Sequence, residues 1–555
     1  MPDRRRRIID AALGLAPAER VFSNATLFNP FSCTWEQASL AVTDGIVVGI
    51  GNYRGITEYD LHGAQIIPGL IDAHVHIESS LLTPKEYARL VATHGTTTVI
   101  ADPHEIANVT GAAGIEFMIR EAKDTPIDIL FMLPSCVPAT PRDVGGAVLT
   151  ASDLAVFIGR AGVLGIGEVM NVPGVLAQDQ EVLDKIALAP LVDGHAPLLS
   201  GADLNAYTLS GMQSDHECTR REEAEEKLMR GMYIFLREGS TERNIRDLAG
   251  IVTPCTAPRC CFATDDCHAD MLAADGHIDN CVRIAIAAGL EPEIALRMAT
   301  LSAAERFRLF DRGALAPGRL ADFCVIDDCR TFSVKATFKR GVAIGSLPPR
   351  PAAWKSHPFA CTAPDRDTVR ISGSGIARVI GIVPHQIITE SLQFDLDAQK
   401  IPDLDRDILK VVVCNRYGTG ASGVGLVHGF GFSCGAIASS VAHDAHNLIA
   451  VGTSDAEILR AINAVIRSRG GMVIVDGKKE MVLTLECAGL MSLQPCEKVV
   501  SVLDRMKTMT SHLGTISEPF MYLSFLCLTV IPNLRITDRG LFDVSQWKDV
   551  PLFVE

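Results

Sequence analysis

The run Pro68-Gly69-Leu70-Ile71-Asp72-Ala73-His74-Val75-His76 constrains this chain more than any other. Its apolar residues read as a buried strand, and side chains alternate along a strand, so His74 and His76 point the same way at its end. Two neutral imidazoles on one face are half of a transition-metal site. With 15 histidines in 555 residues, chance supplies about 0.4 such pairs. The pair therefore means little until the rest of the chain offers partners.

The length of 555 residues exceeds the ~250–300 at which one core stops growing, so more than one domain is expected. Residues 1–20 read as a tail and 21–64 as short strands broken by turns, among them Val21–Ser23, Ser39–Val42 and Gly45–Ile50. From 65 to 312, apolar runs alternate with helical patterns: Thr97–Ala101, Ile127–Met132, Val163–Gly167, Gly231–Leu236 and Cys260–Thr264. Such alternation predicts an α/β fold with a parallel barrel, a doubly wound open sheet being the alternative. Residues 313–362 give one further strand, Ala321–Ile326, and a linker rich in proline at 348–351; 363–555 form another α+β region.

A net charge of −15, from 51 basic and 66 acidic residues, disfavours nucleic acid or an anionic membrane as partner and fits a small neutral substrate. Sixteen cysteines without paired Cys-x-x-Cys spacing fit reduced thiols rather than a disulfide scaffold or structural zinc. Arg4–Arg7 followed by Ile8-Ile9-Asp10-Ala11-Ala12-Leu13 imitates a signal peptide, but Asp10 interrupts an apolar stretch already short for one. No run approaches the ~20 apolar residues of a membrane span. A cytoplasmic protein is expected.

Further candidate ligands recur where the barrel-like strands end. Glu168 follows 163–167, His195 closes Leu191-Val192-Asp193-Gly194, His216 stands in Ser214-Asp215-His216-Glu217, and Asp265 follows Phe262-Ala263-Thr264. Any one of them reads equally well as a capping or surface residue. Four histidines and two carboxylates at the active end of one barrel do not.

Longer strings carry a family resemblance: Asp72-Ala73-His74-Val75-His76-Ile77-Glu78-Ser79-Ser80, Asp102-Pro103-His104-Glu105-Ile106-Ala107-Asn108-Val109, Leu133-Pro134-Ser135-Cys136-Val137-Pro138, Gly167-Glu168-Val169-Met170-Asn171, Asp193-Gly194-His195-Ala196-Pro197, Thr264-Asp265-Asp266 and Ser440-Val441-Ala442-His443-Asp444-Ala445-His446-Asn447. The chain resembles the amidohydrolase superfamily and, within it, the adenine deaminases, over most of its length. That resemblance implies a distorted (β/α)8 TIM-type barrel, a small β-sandwich from the segments flanking it, an added C-terminal domain, and a homodimer. It also implies two divalent metals, manganese before iron and iron before zinc, with His74, His76 and Asp265 on one, His195 and His216 on the other, and Glu168 bridging. The implied reaction is hydrolysis of adenine to hypoxanthine and ammonia. Cys267 and Ala269 depart from the family pattern, which has a basic residue and a proline there.

These residue types suit that chemistry. A bound metal lowers the pKa of its water from 15.7 toward ~7, and Asp265 beside it is the expected general base, returning the proton to the leaving amino group. Glu168 is the other residue expected to be catalytic. Ring N1 needs a second acid, for which Glu78, Asp102 and Glu105 stand as open candidates. Ser80, His104 and Asp266 are expected near substrate or behind the ligands. The Asp102-x-His104-Glu105 cluster is expected at the site mouth, as support for the metals, a substrate contact or a further metal site; the alternative is a purely structural cluster. His443, Asp444 and His446 read either as a hydrogen-bonded turn or as part of a lid that excludes water.

Two other signals are discounted. Gly418-Thr419-Gly420-Ala421-Ser422-Gly423 has dinucleotide-loop spacing, but the residues after it are too glycine-rich for the helix such a site requires. His76-Ile77-Glu78 imitates the cytidine-type deaminases, yet Pro254-Cys255 lacks the second cysteine they need. The remaining alternatives are another amidohydrolase, acting on a different aminopurine or a cyclic amide or imide, and a non-catalytic scaffold on the same fold. Intact ligands argue against the scaffold.

Overall fold

The computed structural model describes residues 2–354 and 359–554; residues 355–358 of the expected linker region lie outside them. Eight parallel strands build the barrel: β1 (Leu70–Val75), β2 (Thr96–Ala101), β3 (Asp128–Leu133), β4 (Val163–Val169), β5 (Val192–Gly194), β6 (Ser214–Asp215), β7 (Tyr233–Arg237) and β8 (Cys260–Ala263). β1 to β5 form one parallel sheet and β6 to β8 another. Gln213 N donates to Val192 O at 3.2 Å across one seam. Across the other, Asp265 N donates to His74 O at 3.0 Å and His76 N to Asp265 O at 3.2 Å. The barrel is thus closed at its mouth by residues predicted as ligands. β1 and β2 are buried at every position, as expected for parallel strands covered on both faces.

The segments before and after the barrel share one eight-stranded sheet. Its strand Gln65–Pro68 pairs parallel with Ala18–Asn29 and antiparallel with Phe323–Ile326, so both segments meet on it. Residues 1–20 are no tail: they hold a helix, Pro2–Ala12, and the start of that first strand. Ala11, Ala18 and Val21 bury against Ala41 and Val48, and this apolar packing explains why the signal-like start folds. Among the described residues, no helix is long and apolar enough to cross a membrane. All sixteen cysteines are free thiols.

The C-terminal region carries a second eight-stranded sheet. Its central strand Ile408–Cys414 is buried throughout, and its side chains divide by parity. Leu409, Val411 and Val413 join the core that continues into the barrel at Val75, Ile106 and Val137. Val412 and Cys414 face helix Asp455–Ser468 through Ile458, Ala461 and Ile462. The sheet is therefore sandwiched between that helix and the barrel mouth. The glycine-rich loop at 418–423 runs into strand Ser422–His428, not a helix, which removes the dinucleotide reading.

Candidate metal and substrate site

Glu168 sits at the centre, pointing inward near the end of β4. Its Oε1 lies 3.2 Å from His76 Nε2 and 3.9 Å from His74 Nε2. Its Oε2 lies 2.6 Å from His195 Nδ1 and 3.1 Å from His216 Nε2. Each oxygen of one carboxylate therefore faces a different histidine pair. Asp265 follows β8 with φ 57°, a left-handed conformation that Asp tolerates better than most residues. Its Oδ1 stands 3.5 Å from His74 Nε2 and 3.2 Å from His76 Nε2. The two imidazole nitrogens of the opening motif are 3.1 Å apart, and the His74 ring stacks on His216 with centroids 4.1 Å apart.

The backbone explains why these side chains converge. His76 Nδ1 is 3.0 Å from the carbonyl of Asp102, which turns Nε2 toward the centre. Asp102 Oδ2 accepts from Glu168 N at 3.0 Å. That contact requires Gly167, where a Cβ would come within 1.9 Å of Asp102 Oδ2. His195 N is bonded by Tyr207 OH at 2.9 Å. The buried ammonium of Lys227 ties Ala196 O at 2.7 Å to Asp215 Oδ2 at 2.9 Å, bracing the positions beside both His195 and His216.

Electrostatically the cage suits a cation. Burial disfavours charge on Glu168, but His195 and His216 hold its carboxyl well below the usual range. Burial is likewise outweighed at Asp265 by His74, His76 and Arg237. Burial and the neighbouring His216 hold His74 below its ordinary value, in the neutral form a ligand needs. Asp265 and Glu168 instead raise His76, and Glu168 raises His216; a bound cation would displace those protons. His195 Nε2, His216 Nδ1 and His104 Nδ1 are buried and unpartnered. Three-ligand groups His74–His76–Glu168 and Glu168–His195–His216 each bring their donor atoms within 4.8 Å of one another. Mixed imidazole and carboxylate donors suit manganese, iron or zinc.

A narrow cavity of about 20 Å³, room for about one water, opens over the cage. Of the residues expected here, His76, His104, Glu105, Glu168, His195, His216, Asp265, Asp266, His443 and Asp444 line it. His74 lies beneath, against His76. Four do not face it. Ser80 is absorbed in a local turn, donating to Ile77 O at 2.6 Å and accepting from Leu82 N at 3.2 Å. Glu78 accepts from Ile106 N at 3.2 Å, burial pushing its carboxyl up to about 7. Burial, aided by Glu168 against His104, brings Asp102 to about 7 as well. His446 stands behind Glu105. Cys267 and Ala269, the departures from the family pattern, also lie off the cavity wall.

Sequence reasoning missed Glu217, Met170, Ile387, Phe525 and Leu528 on the wall and Arg237 behind it. Glu217 was signalled by its place after His216. The three apolar residues of the C-terminal region carried no local signal.

Comparisons with known proteins match two stretches of the chain. Residues 65–344 match the amidohydrolase family and 386–548 the adenine deaminase C-terminal domain. Adenine deaminase of Methanoregula boonei is 62% identical over 552 residues, 98% of each chain. The chain belongs to the adenine deaminase family. Another member, from Methanoculleus marisnigri, is 63% identical over 93% of this chain and 99% of its own. Adenine deaminase 2 of Carboxydothermus hydrogenoformans is 45% identical over 98% and 99%. Membership in this amidohydrolase family implies divalent metal binding, which the cage around Glu168 fits.

Proposed function

We propose that the chain hydrolyses adenine to hypoxanthine and ammonia with two divalent cations. His74, His76 and Asp265 would hold one and His195 and His216 the other, with Glu168 between them. The observation that carries this is the division of the Glu168 oxygens between two histidine pairs. Cations held in such a cage would acidify a bound water, lowering its pKa from 15.7 toward about 7. Manganese is the proposed metal, ahead of iron and zinc.

The residues then have distinct tasks. Asp265, ionised and fixed by Arg237, takes a proton from the attacking water and delivers it to the amino group leaving C6. Water supplies the oxygen of hypoxanthine, and the C6–N bond breaks to release ammonia. Ile387, Phe525 and Leu528 offer apolar faces to the flat base and exclude bulk water. Of the three acids considered for N1, Glu105 alone lines the cavity, and two imidazoles occupy both its oxygens.

In this reading, 21–64 and 313–362 form a small sandwich beside a barrel of 65–312, and 363–555 the C-terminal domain; the sheet shared by the flanking segments supports it. The enzyme would be a cytoplasmic homodimer, and its charge of −15 supports the reading that nucleic acid and anionic membranes are not partners. The test is ammonia release from adenine and a purine panel, using apoprotein reloaded separately with manganese, iron and zinc. Adenine turnover that tracks two metals per chain is expected. Two bound metals with no release from any purine overturns the proposal.

A further inference from the structure

We propose that His443, contributed by the C-terminal domain, binds the substrate directly, its Nε2–H donating a hydrogen bond to an acceptor nitrogen of the adenine ring. This rests on the deaminase reading and adds a specificity contact from outside the barrel.

The geometry of Glu105 carries the argument. His443 Nδ1 bonds one of its oxygens and His446 Nε2 the other. Ala442 N donates to His446 Nδ1 at 3.2 Å. A nitrogen that accepts cannot also carry the ring proton, so His446 is protonated on Nε2 and donates to Glu105. That tautomer leaves no lone pair on Nε2 for a cation. Glu105, His443 and His446 are therefore a hydrogen-bonded relay and not a third metal site, although their donor atoms are close enough for one.

His443 faces the other way. With Nδ1–H committed to Glu105, its Nε2 is buried and lacks a protein partner, in a side chain that lines the cavity. The Phe525 ring, 5.2 Å from the imidazole, walls the same space. A buried polar atom left unpaired in a ligand cavity marks where a ligand atom belongs. Burial opposes charge on His443, but Glu105 and Asp266 raise it to about 9, which favours the form with a proton on both ring nitrogens. Adenine offers N1, N3 and N7 as in-plane ring acceptors, and the imidazolium can only donate.

The test compares metal-loaded wild type with His443→Ala and His443→Gln, using adenine kinetics and inhibition by 1-, 3- and 7-deazaadenine, each lacking one acceptor. One analogue should bind wild type about tenfold more weakly than the other two. In His443→Ala that penalty should vanish and KM for adenine rise by about tenfold, with both metals retained. If His443→Ala does not fold, His443→Gln carries the test, since its neutral amide should shrink the same penalty. Unchanged KM and unchanged inhibitor ratios in a folded, metal-loaded variant overturn the contact. Wild type that releases no ammonia from adenine overturns the deaminase reading instead, so the two failures are distinct.

Discussion

Arg237 Nη1 donates to Asp265 Oδ2 at 2.7 Å while Asp265 Oδ1 faces the His74/His76 pair. The same guanidinium is paired with both oxygens of Glu217. One buried arginine thus fixes the orientation of the proposed base and of a cavity-wall carboxylate. Arg237→Met leaves two buried carboxylates without their cation. Breaking such pairs costs about 3–5 kcal/mol, so a lowered unfolding midpoint is expected together with reduced turnover. A variant as stable and active as wild type removes Arg237 from the site.

Asp265→Asn keeps the shape of the side chain and removes its basicity. Turnover should fall by about 10²–10⁴-fold, the usual share of general acid–base catalysis. Metal content should fall far less, since His74 and His76 remain. Near-normal deamination with both metals bound shows that the proton goes elsewhere.

Arg535 is buried and donates only to carbonyls, at 2.8 Å to both Ile387 O and Phe525 O and 2.8 Å to Ile531 O. Ile387 and Phe525 form the apolar wall of the cavity. Arg535→Met frees both segments, so KM for adenine should rise several-fold while metal stoichiometry stays at the wild-type value. Loss of metal without any change in KM contradicts a role confined to that wall.

Asp128 lies at the opposite end of the barrel, where its Oδ2 takes Arg312 Nη1 and Lys339 Nζ at 2.7 Å each. Burial pushes its carboxyl up, but Lys339 and Arg312 outweigh that and hold it low. A depressed carboxylate stabilises the fold above its unfolded pKa of about 3.9, and that contribution disappears as pH falls through the lower folded value. Asp128→Asn should therefore cost about 1–3 kcal/mol at neutral pH. The difference from wild type should shrink below about pH 4, with KM unchanged throughout. Thermal melts of both proteins from pH 7 to pH 3 measure it; a gap that widens in acid contradicts the assignment.

Much of the cage was legible because strand periodicity is local. Apolar runs fixed the barrel strands to within a few residues, and each ligand follows or ends one of them, as with Glu168 on β4 and His195 after β5. Ser80 misled for a related reason. It sits in a ligand-bearing string, but a turn consumes its hydroxyl. The opening segment misled as well, since residues 1–20 read as a tail although Ala11 packs with Val48.

By itself the sequence determined the histidine and carboxylate cage of this protein. His74 and His76 share a face because strand geometry puts residues i and i+2 together, and the other ligands follow strands readable from hydrophobicity. Only the tertiary structure decided what lies above that cage. Arg237 meets Asp265 from a neighbouring strand end, and Glu105 meets His443 and His446 across 338 and 341 positions. Ile387 and Phe525 reach the cavity as part of a small apolar cluster with Met521, Leu528 and Ile531. No local period encodes such contacts; they arise when two apolar faces, remote in sequence, bury each other.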